Sequence, residues 1–365
     1  MLNNFRFLTS GESHGKCLNA IIDGVPAGFI IDLDFINCEL KCRQGGFGRG
    51  DRMKIESDTV EIKSGVRFGK TTGAPICLEI KNKDFENWQT VMSVEEINLN
   101  DEVISKLIKE KSFTKPRPGH ADFAGSIKYK LKDLRDVLER SSARKTAMDV
   151  AVGAVAKQIL KEFSISCYSQ VTQIADAFEE EAIKEKIESA KIQGDTLGGK
   201  FEVVFENLPV GLGSHVQWDR KIDGLIAQAV MSIPAVKSVE IGLGVKSAEV
   251  FGSQMHDEIY IENGQYFRKT NNAGGIEGGM TNGENLVVKA SMKPIPTLKK
   301  PLSTIDFADN SQTEAHFERS DVCAVSSCAV VAEAMIACVL VDEFLNKFGK
   351  DNITEIKINY SSRVK

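Results

Sequence analysis

The sequence predicts an α+β fold built by internal pseudo-duplication: two similar halves carry large, mostly antiparallel sheets, with helices packed between them. Three matched pairs of motifs, in the same order, point to it. The stretch "GESHGKCLNAIIDGVPAGF" places Gly11, Gly15, Pro26 and Gly28 at the offsets of Gly194, Gly198, Pro209 and Gly211 in "GDTLGGKFEVVFENLPVGLG". "GVRFGKTTG" repeats as "GIEGGMTNG", aligning Gly65, Gly69, Thr71 and Gly73 with Gly275, Gly279, Thr281 and Gly283. "ERSS" at 139–142 returns as "ERSD" at 318–321. The halves run approximately over 1–165 and 190–350 of a single domain, 1–365.

The elements follow from patterning. Between the glycines and the proline of the first motif lies an alternating apolar run in each copy, the signature of a strand. "APICLEI" and "ENLVVKA", after the second motif, read the same way. Each "ERS" leads into small and apolar residues at helical spacing, giving buried helices at about 143–162 and 325–348. The connection 83–115 and the charged helix 178–192 read as solvated insertions.

Composition excludes several classes. The apolar fraction of 42% and charged fraction of 27% over 365 residues are those of a soluble globular protein. "CAVVAEAMIACVLVDEF", the most apolar stretch, is broken by Glu333 and falls short of the roughly 20 residues that cross a bilayer. No basic start, apolar run and small-residue cleavage site mark a secretory leader, and the eight cysteines match no disulfide or zinc pattern. A reduced, cytoplasmic protein with no membrane partner is expected. The net charge of -5 argues against nucleic acid. Of thirteen arginines, eight (Arg43, Arg49, Arg52, Arg67, Arg117, Arg140, Arg144 and Arg319) fall in glycine-, proline- or serine-rich motifs. Guanidiniums near loops suit bidentate capture of phosphate or carboxylate. A small polyanionic ligand is expected.

Where the copies differ, chemistry is expected. His14 faces Leu197 in the alignment, and Asp321 faces Ser142. One half thus adds a histidine and the other a carboxylate that folding does not require. "KPRPGHAD" sets His120 in a Pro-Gly loop beside Arg117 and Asp122. A capping or core role for His14 and an incidental turn position for His120 stay open. "RSSAR" at 140–144 reads as a helix start where Ser141 or Ser142 caps backbone N–H groups and Arg140 and Arg144 complete an anion site. "GGIEGG" and "KPIPT" read as backbone that approaches a ligand closely. No dinucleotide fingerprint, P-loop or metal spacing is present.

Together the motifs resemble the chorismate synthase family. The resemblance runs through "GESHG", "DGVPAG", "RQGGFGRG", "SGVRFGKTTGAPI", "RPGHAD", "RSSAR", "AVKSVEIG", "GGIEGGMTNGE", "KPIPT" and "RSD", in order, over nearly the whole chain. It implies a β-α-β sandwich, usually a homotetramer, that converts 5-enolpyruvylshikimate 3-phosphate to chorismate by 1,4-elimination of phosphate. This is the final step of the shikimate pathway, and it requires reduced FMN without net redox change.

By motif, the resemblance assigns flavin contacts to Arg140, Ser141, Ser142, Pro234, Ala235, Gly278, the stretch Lys293, Pro294, Ile295, Pro296 and Thr297, and Arg319. Arg43 and Arg49 fall to a phosphorylated ligand, either NADP or the substrate phosphate. Arg117, Arg144 and Ser13 fall to the substrate. It implies that Asp321 is the base accepting a proton from the flavin, that His14 donates towards the departing phosphate, and that His120 protonates or stabilises the reduced flavin. No metal is implied, and NADPH enters as a source of reductant. The chain departs from the family pattern at Lys41-Cys42-Arg43, at Lys145 after "SSAR", and at Pro234, which lacks the side-chain amide expected there. A catalytically silent flavin- or nucleotide-binding protein is the alternative that keeps the scaffold, and an RNA-binding module is a second, disfavoured by the acidic balance.

Overall fold

A computed structural model of the chain describes residues 2–49, 57–318 and 320–363. The first half contributes β1 (Arg6–Ser10), β2 (Cys17–Asp23), α1 (Leu33–Gln44), β3 (Val60–Ile62), the two-residue strands β4 (Val66–Arg67) and β5 (Lys70–Thr71), and β6 (Ile76–Lys81). Helices α2 (Glu102–Lys111), α3 (Asp122–Tyr129), α4 (Arg135–Ser141) and α5 (Thr146–Lys161) follow. The second half runs β7 (Ser166–Ile174), α6 (Glu180–Gln193), β8 (Gly199–Glu206), α7 (Ile222–Met231), β9 (Val236–Ile241), α8 (Gly252–Met255) and β10 (Ile259–Glu262). It continues with β11 (Gln265–Arg268), β12 (Ile276–Glu277), β13 (Met280–Thr281), β14 (Leu286–Met292), β15 (Ser303–Ile305), β16 (Gln312–Glu314), α9 (Val325–Phe348) and α10 (Ile353–Arg363).

Two four-stranded sheets form, in the orders β1-β2-β6-β3 and β7-β8-β14-β9, with every pairing antiparallel. Strand for strand the second sheet repeats the first. Alternation sends one face of each strand inwards: Leu18, Ala20 and Ile22 on β2, and Leu286, Val288 and Ala290 on β14, are buried. Between the sheets lie α5 and α9, apolar nearly all round. Contacts run from β2 to α5, from α5 to α9, and from α9 to β7 and β8, giving sheet, helices, sheet. At the crossing the two helix backbones nearly touch. A Cβ built on Gly153 would lie 2.3 Å from the Cβ of Ala334 and 2.4 Å from its Cα. Only glycine admits this approach.

The duplication is visible in hydrogen bonds as well as in strand order. Thr71 Oγ1 donates to the carbonyl of Pro26 and accepts from Phe29 N–H, while Gly28 N–H donates to the Thr71 carbonyl. The second half makes the same three bonds, from Thr281 Oγ1 to the Pro209 carbonyl, from Leu212 N–H to Thr281 Oγ1, and from Gly211 N–H to the Thr281 carbonyl. Gly28 and Gly211, with φ of 79° and 81°, occupy the left-handed region that glycine tolerates. Threonine and glycine recur in the sequence because each half ties its β4–β5 or β12–β13 hairpin to the segment that follows β2 or β8 in this way.

Two expectations need correction. Residues 83–115 are more than a solvated insertion: Trp88 and Phe113 are buried, Trp88 against His14. An indole cannot be left in water at no cost when such a partner is available. "RSSAR" does not open a helix at Arg140. Ser141 ends α4, and its hydroxyl bonds back to the Val137 carbonyl. Ser142 alone caps, accepting from Arg144 N–H at the 3₁₀ turn that leads into α5.

Candidate active site

The N-terminal ends of α5 and α9 converge on one side of the sandwich, and the loops around them enclose a cavity of about 420 Å³. That volume lies in the range of small-molecule sites. His14 and Ser13 enter it from the β1–β2 loop, His120 and Arg117 from the loop before α3, and Asp321 from the segment before α9. Three ionisable groups distant in sequence thus share one space.

His14 is held tightly. Its Nδ1 lies 2.8 Å from Glu139 Oε1, its backbone N–H donates to Glu139 Oε2 at 2.7 Å, and its ring stacks on Trp88 with centroids 4.1 Å apart. Arg140 does not line the cavity. Its guanidinium donates to the carbonyls of Thr9 and Gly11, securing the loop that presents His14. Ser13 N–H reaches the Glu139 carbonyl, and Ser142 Oγ donates to Ser13 Oγ at 3.3 Å.

His120 Nδ1 lies 2.6 Å from Asp122 Oδ1, and Arg117 bridges the same carboxylate through Nε at 2.8 Å and Nη2 at 3.0 Å. Asp122 is fully buried. Burial alone would raise its pKa, but the hydrogen bonds and charges of His120 and Arg117 outweigh this and hold it well below the usual carboxylate range. Asp321 Oδ2 pairs with Arg49 Nη1 at 2.7 Å.

Arg43 and Arg144 lie buried on the floor and share Asp58, whose Oδ1 is 2.6 Å from Arg144 Nη1 and whose Oδ2 is 3.5 Å from Arg43 Nη1. Asn82 orients Arg144 through Nε, and Thr146 orients Arg43. Desolvation pulls the Arg43 pKa down to about 10, against the opposing pull of Asp58, which leaves it cationic near neutrality.

Ile233, Pro234, Ala235, Met292, Ile295 and Pro296 give the cavity an apolar side. Ala235 is held at φ 71°, an uncommon conformation for a residue with a side chain, and its carbonyl accepts from Lys293 N–H. Lys293 and Thr297 add polar atoms, Thr297 Oγ1 accepting from Arg117 Nη1. Of the residues expected around a flavin, Ser141, Ser142, Pro234, Ala235, Lys293, Ile295, Pro296 and Thr297 line the cavity. Pro294 sits between two lining residues without lining it, and Gly278 stands at the β12–β13 turn with no neighbour near its Cα hydrogen face. Arg319 lies outside the described residues.

Sequence reasoning missed Asp58, Asn82, Trp88, Arg135 and Glu139 around the site. For Glu139 the sequence does carry a signal, since both "ERS" copies keep the glutamate. Among the described residues no group of side chains could hold a metal ion, and no helix is long and apolar enough to cross a membrane.

The cavity gathers acid, base and cationic groups, and comparison with known proteins places the chain among the carbon–oxygen lyases that act on phosphates. The sequence profile of the family described as chorismate synthase matches residues 5–345. A chorismate synthase of Caldanaerobacter subterraneus is 54% identical over 98% of this chain and 97% of its own length. That of Aquifex aeolicus is 49% identical over 100% and 98%. A solved structure described as a crystal structure of chorismate synthase superposes with a TM-score of 0.78 at 41% identity, over 100% of this chain and 98% of that one. The chain belongs to the chorismate synthase family.

Proposed function

We propose that the protein converts 5-enolpyruvylshikimate 3-phosphate to chorismate by 1,4-elimination of phosphate, with reduced FMN bound in the cavity and no net redox change. The observation that carries this is the meeting of His14, His120 and Asp321 with four arginines in one cavity that has an apolar wall.

The residues fit such a cofactor. An apolar wall suits an aromatic ring system, and Ala235, small and held at positive φ, forms part of it. Ser141, Ser142, Lys293 and Thr297 would meet polar edges, while Pro234 contributes through its backbone. When bound, reduced FMN lends the electron density that lets phosphate leave.

The remaining work belongs to the chain. Arg43, Arg49, Arg117 and Arg144 match a ligand with one phosphate and two carboxylates, and guanidiniums fixed beforehand by Asp58, Asn82 and Asp122 need no reorganisation to stabilise departing charge. His14, its Nδ1 held by Glu139, exchanges its proton through Nε2 and serves as donor towards the leaving phosphate. Asp321 is the base, and His120, set beside an ionised Asp122, is the second proton-holding group. General acid–base help of this kind contributes roughly 10²–10⁴ per group. Arg43 and Arg49 are equally suited to the phosphate of NADPH, while the flavin itself is taken as reduced externally.

We further place the protein in the cytoplasm, as a homotetramer with no nucleic-acid partner. The net charge of -5 supports the last point. Leu8 and Ile21, cross-strand partners left 78% and 52% exposed on the outer face of the first sheet, support association.

Anaerobic turnover of 5-enolpyruvylshikimate 3-phosphate with chemically reduced FMN, followed by chorismate absorbance, tests the reading. Product is expected only with reduced flavin. Tight flavin binding without product would refute it and favour a silent binding protein.

A further inference from the structure

One arginine joins the two copies of the repeated "ERS" motif. Arg135, 5% exposed, sends Nη1 to Oε1 of Glu139 at 3.1 Å and Nη2 to Oε1 of Glu318 at 2.9 Å. These are the glutamates of the first and second copies. The guanidinium also lies over the ring of Trp88, 4.9 Å from its centroid, and Trp88 is the ring on which His14 stacks. The residue matching Arg135 in the second copy is Glu314, so the second copy has no arginine of its own at this place. Glu318 lines the cavity three residues before Asp321, whereas Arg135 and Glu139 do not line it. His316 stacks on Phe113 and stands 3.5 Å from Glu318, closing the cluster.

We propose that Arg135 is a positioning residue for both halves of the site: it fixes the proton-donating face of His14 through Glu139 and Trp88, and steadies the segment bearing Asp321 through Glu318. The proposal rests on the reading of His14 as a proton donor. The physical reason is the fork of the guanidinium, which can satisfy two carboxylates and stack on a ring at once, where an ammonium would act as a single point charge. With Glu139 held, both the Nδ1 and the backbone N–H of His14 end on one carboxylate, so Nε2 is the nitrogen left to exchange a proton with a ligand.

The test uses the full chain with reduced FMN and the enolpyruvyl substrate, comparing Arg135→Met, Arg135→Lys and Glu139→Gln, alone and combined with His14→Gln. Because neither residue lines the cavity, Arg135→Met and Glu139→Gln should lower kcat on the order of 100-fold, the cost of misplacing a reacting group by about an ångström, with KM unchanged. In the His14→Gln background Glu139→Gln should cost nothing more, as for groups that act as a unit, while Arg135→Met should keep only the smaller loss that runs through Glu318 to Asp321. Arg135→Lys, which keeps a buried cation, should restore the melting temperature without restoring kcat.

Spectra of the protein labelled with ¹⁵N-histidine should show Nδ1 of His14 protonated in the wild type and both tautomers in Glu139→Gln and Arg135→Met. A Glu139→Gln loss that multiplies with His14→Gln, or a His14 ring unchanged in the variants, would overturn the proposal. If the wild type yields no chorismate while Glu139 and Arg135 still govern the His14 ring, the reaction assignment falls and the positioning role stands.

Discussion

In an ordinary buried helix, replacing glycine by alanine gains about 1 kcal/mol in propensity. At Gly153 the opposite sign is expected. The added methyl would meet Ala334 Cβ at 2.3 Å, Cα at 2.4 Å and the carbonyl oxygen at 2.7 Å, and two of those three are backbone atoms that no rotamer change can move. Carbon atoms rest at about 3.5–4.0 Å, so α5 and α9 would have to separate by more than an ångström. Overpacking of this kind costs about 1–3 kcal/mol or more. With contacts this short the upper end applies, and after the propensity gain Gly153→Ala should lose about 2 kcal/mol. Because α5 and α9 both start at the cavity, turnover should fall as well. Urea unfolding midpoints and steady-state kinetics on purified protein measure both. Adding Ala334→Gly should recover only part of the loss, since the backbone contacts persist. A Gly153→Ala protein as stable as the wild type would refute the close-crossing argument.

Three further outcomes are expected. Asp321→Asn should lower kcat by at least about 10²-fold while flavin binding, read by fluorescence titration, stays intact. Lys157, buried between Glu39 and Glu333, is the countercharge for both, so Lys157→Met should destabilise by about 3–5 kcal/mol in urea titrations, with normal activity in whatever folds. In Glu318, burial is outweighed by the His316 hydrogen bond and the Arg135 charge, which bring its pKa down to about 2. A carboxylate depressed on folding contributes stability that is complete above its unfolded pKa of about 4.3 and disappears as pH falls towards the folded value. Between about pH 4 and 2, the wild type should therefore lose stability more steeply than Glu318→Gln, as read from unfolding midpoints against pH.

What was legible in the sequence was whatever the backbone itself demands. Gly28 and Gly211, Thr71 and Thr281, and the alternation of β2 and β14 recur because a knot and a pleat each restrict the residue at a position. The asymmetric His14 and Asp321 could be read against that background. Partners brought together only by folding could not. Asp58 meets Arg144 across 86 positions, and Glu318 meets Arg135 across 183. Trp88 sits in a polar stretch with no period to mark it. Arg140 has the setting of a ligand contact and the geometry of a loop fastener, a distinction made only when folding brings Thr9 and Gly11 to it.

The twin hairpin knots carry a consequence for how the chain reaches its native state. Each knot presents the same proline carbonyl and glycine N–H to the same threonine, so an unfolded chain holds two sockets and two nearly interchangeable plugs. In dilute solution the shorter span between each plug and its own socket, 45 residues in the first half and 72 in the second, favours correct closure. In concentrated solution a neighbouring chain supplies rival plugs, and exchange of whole halves between molecules competes with folding. Refolding yield should fall with protein concentration, and chains that carry only one intact threonine knot should be spared part of that loss.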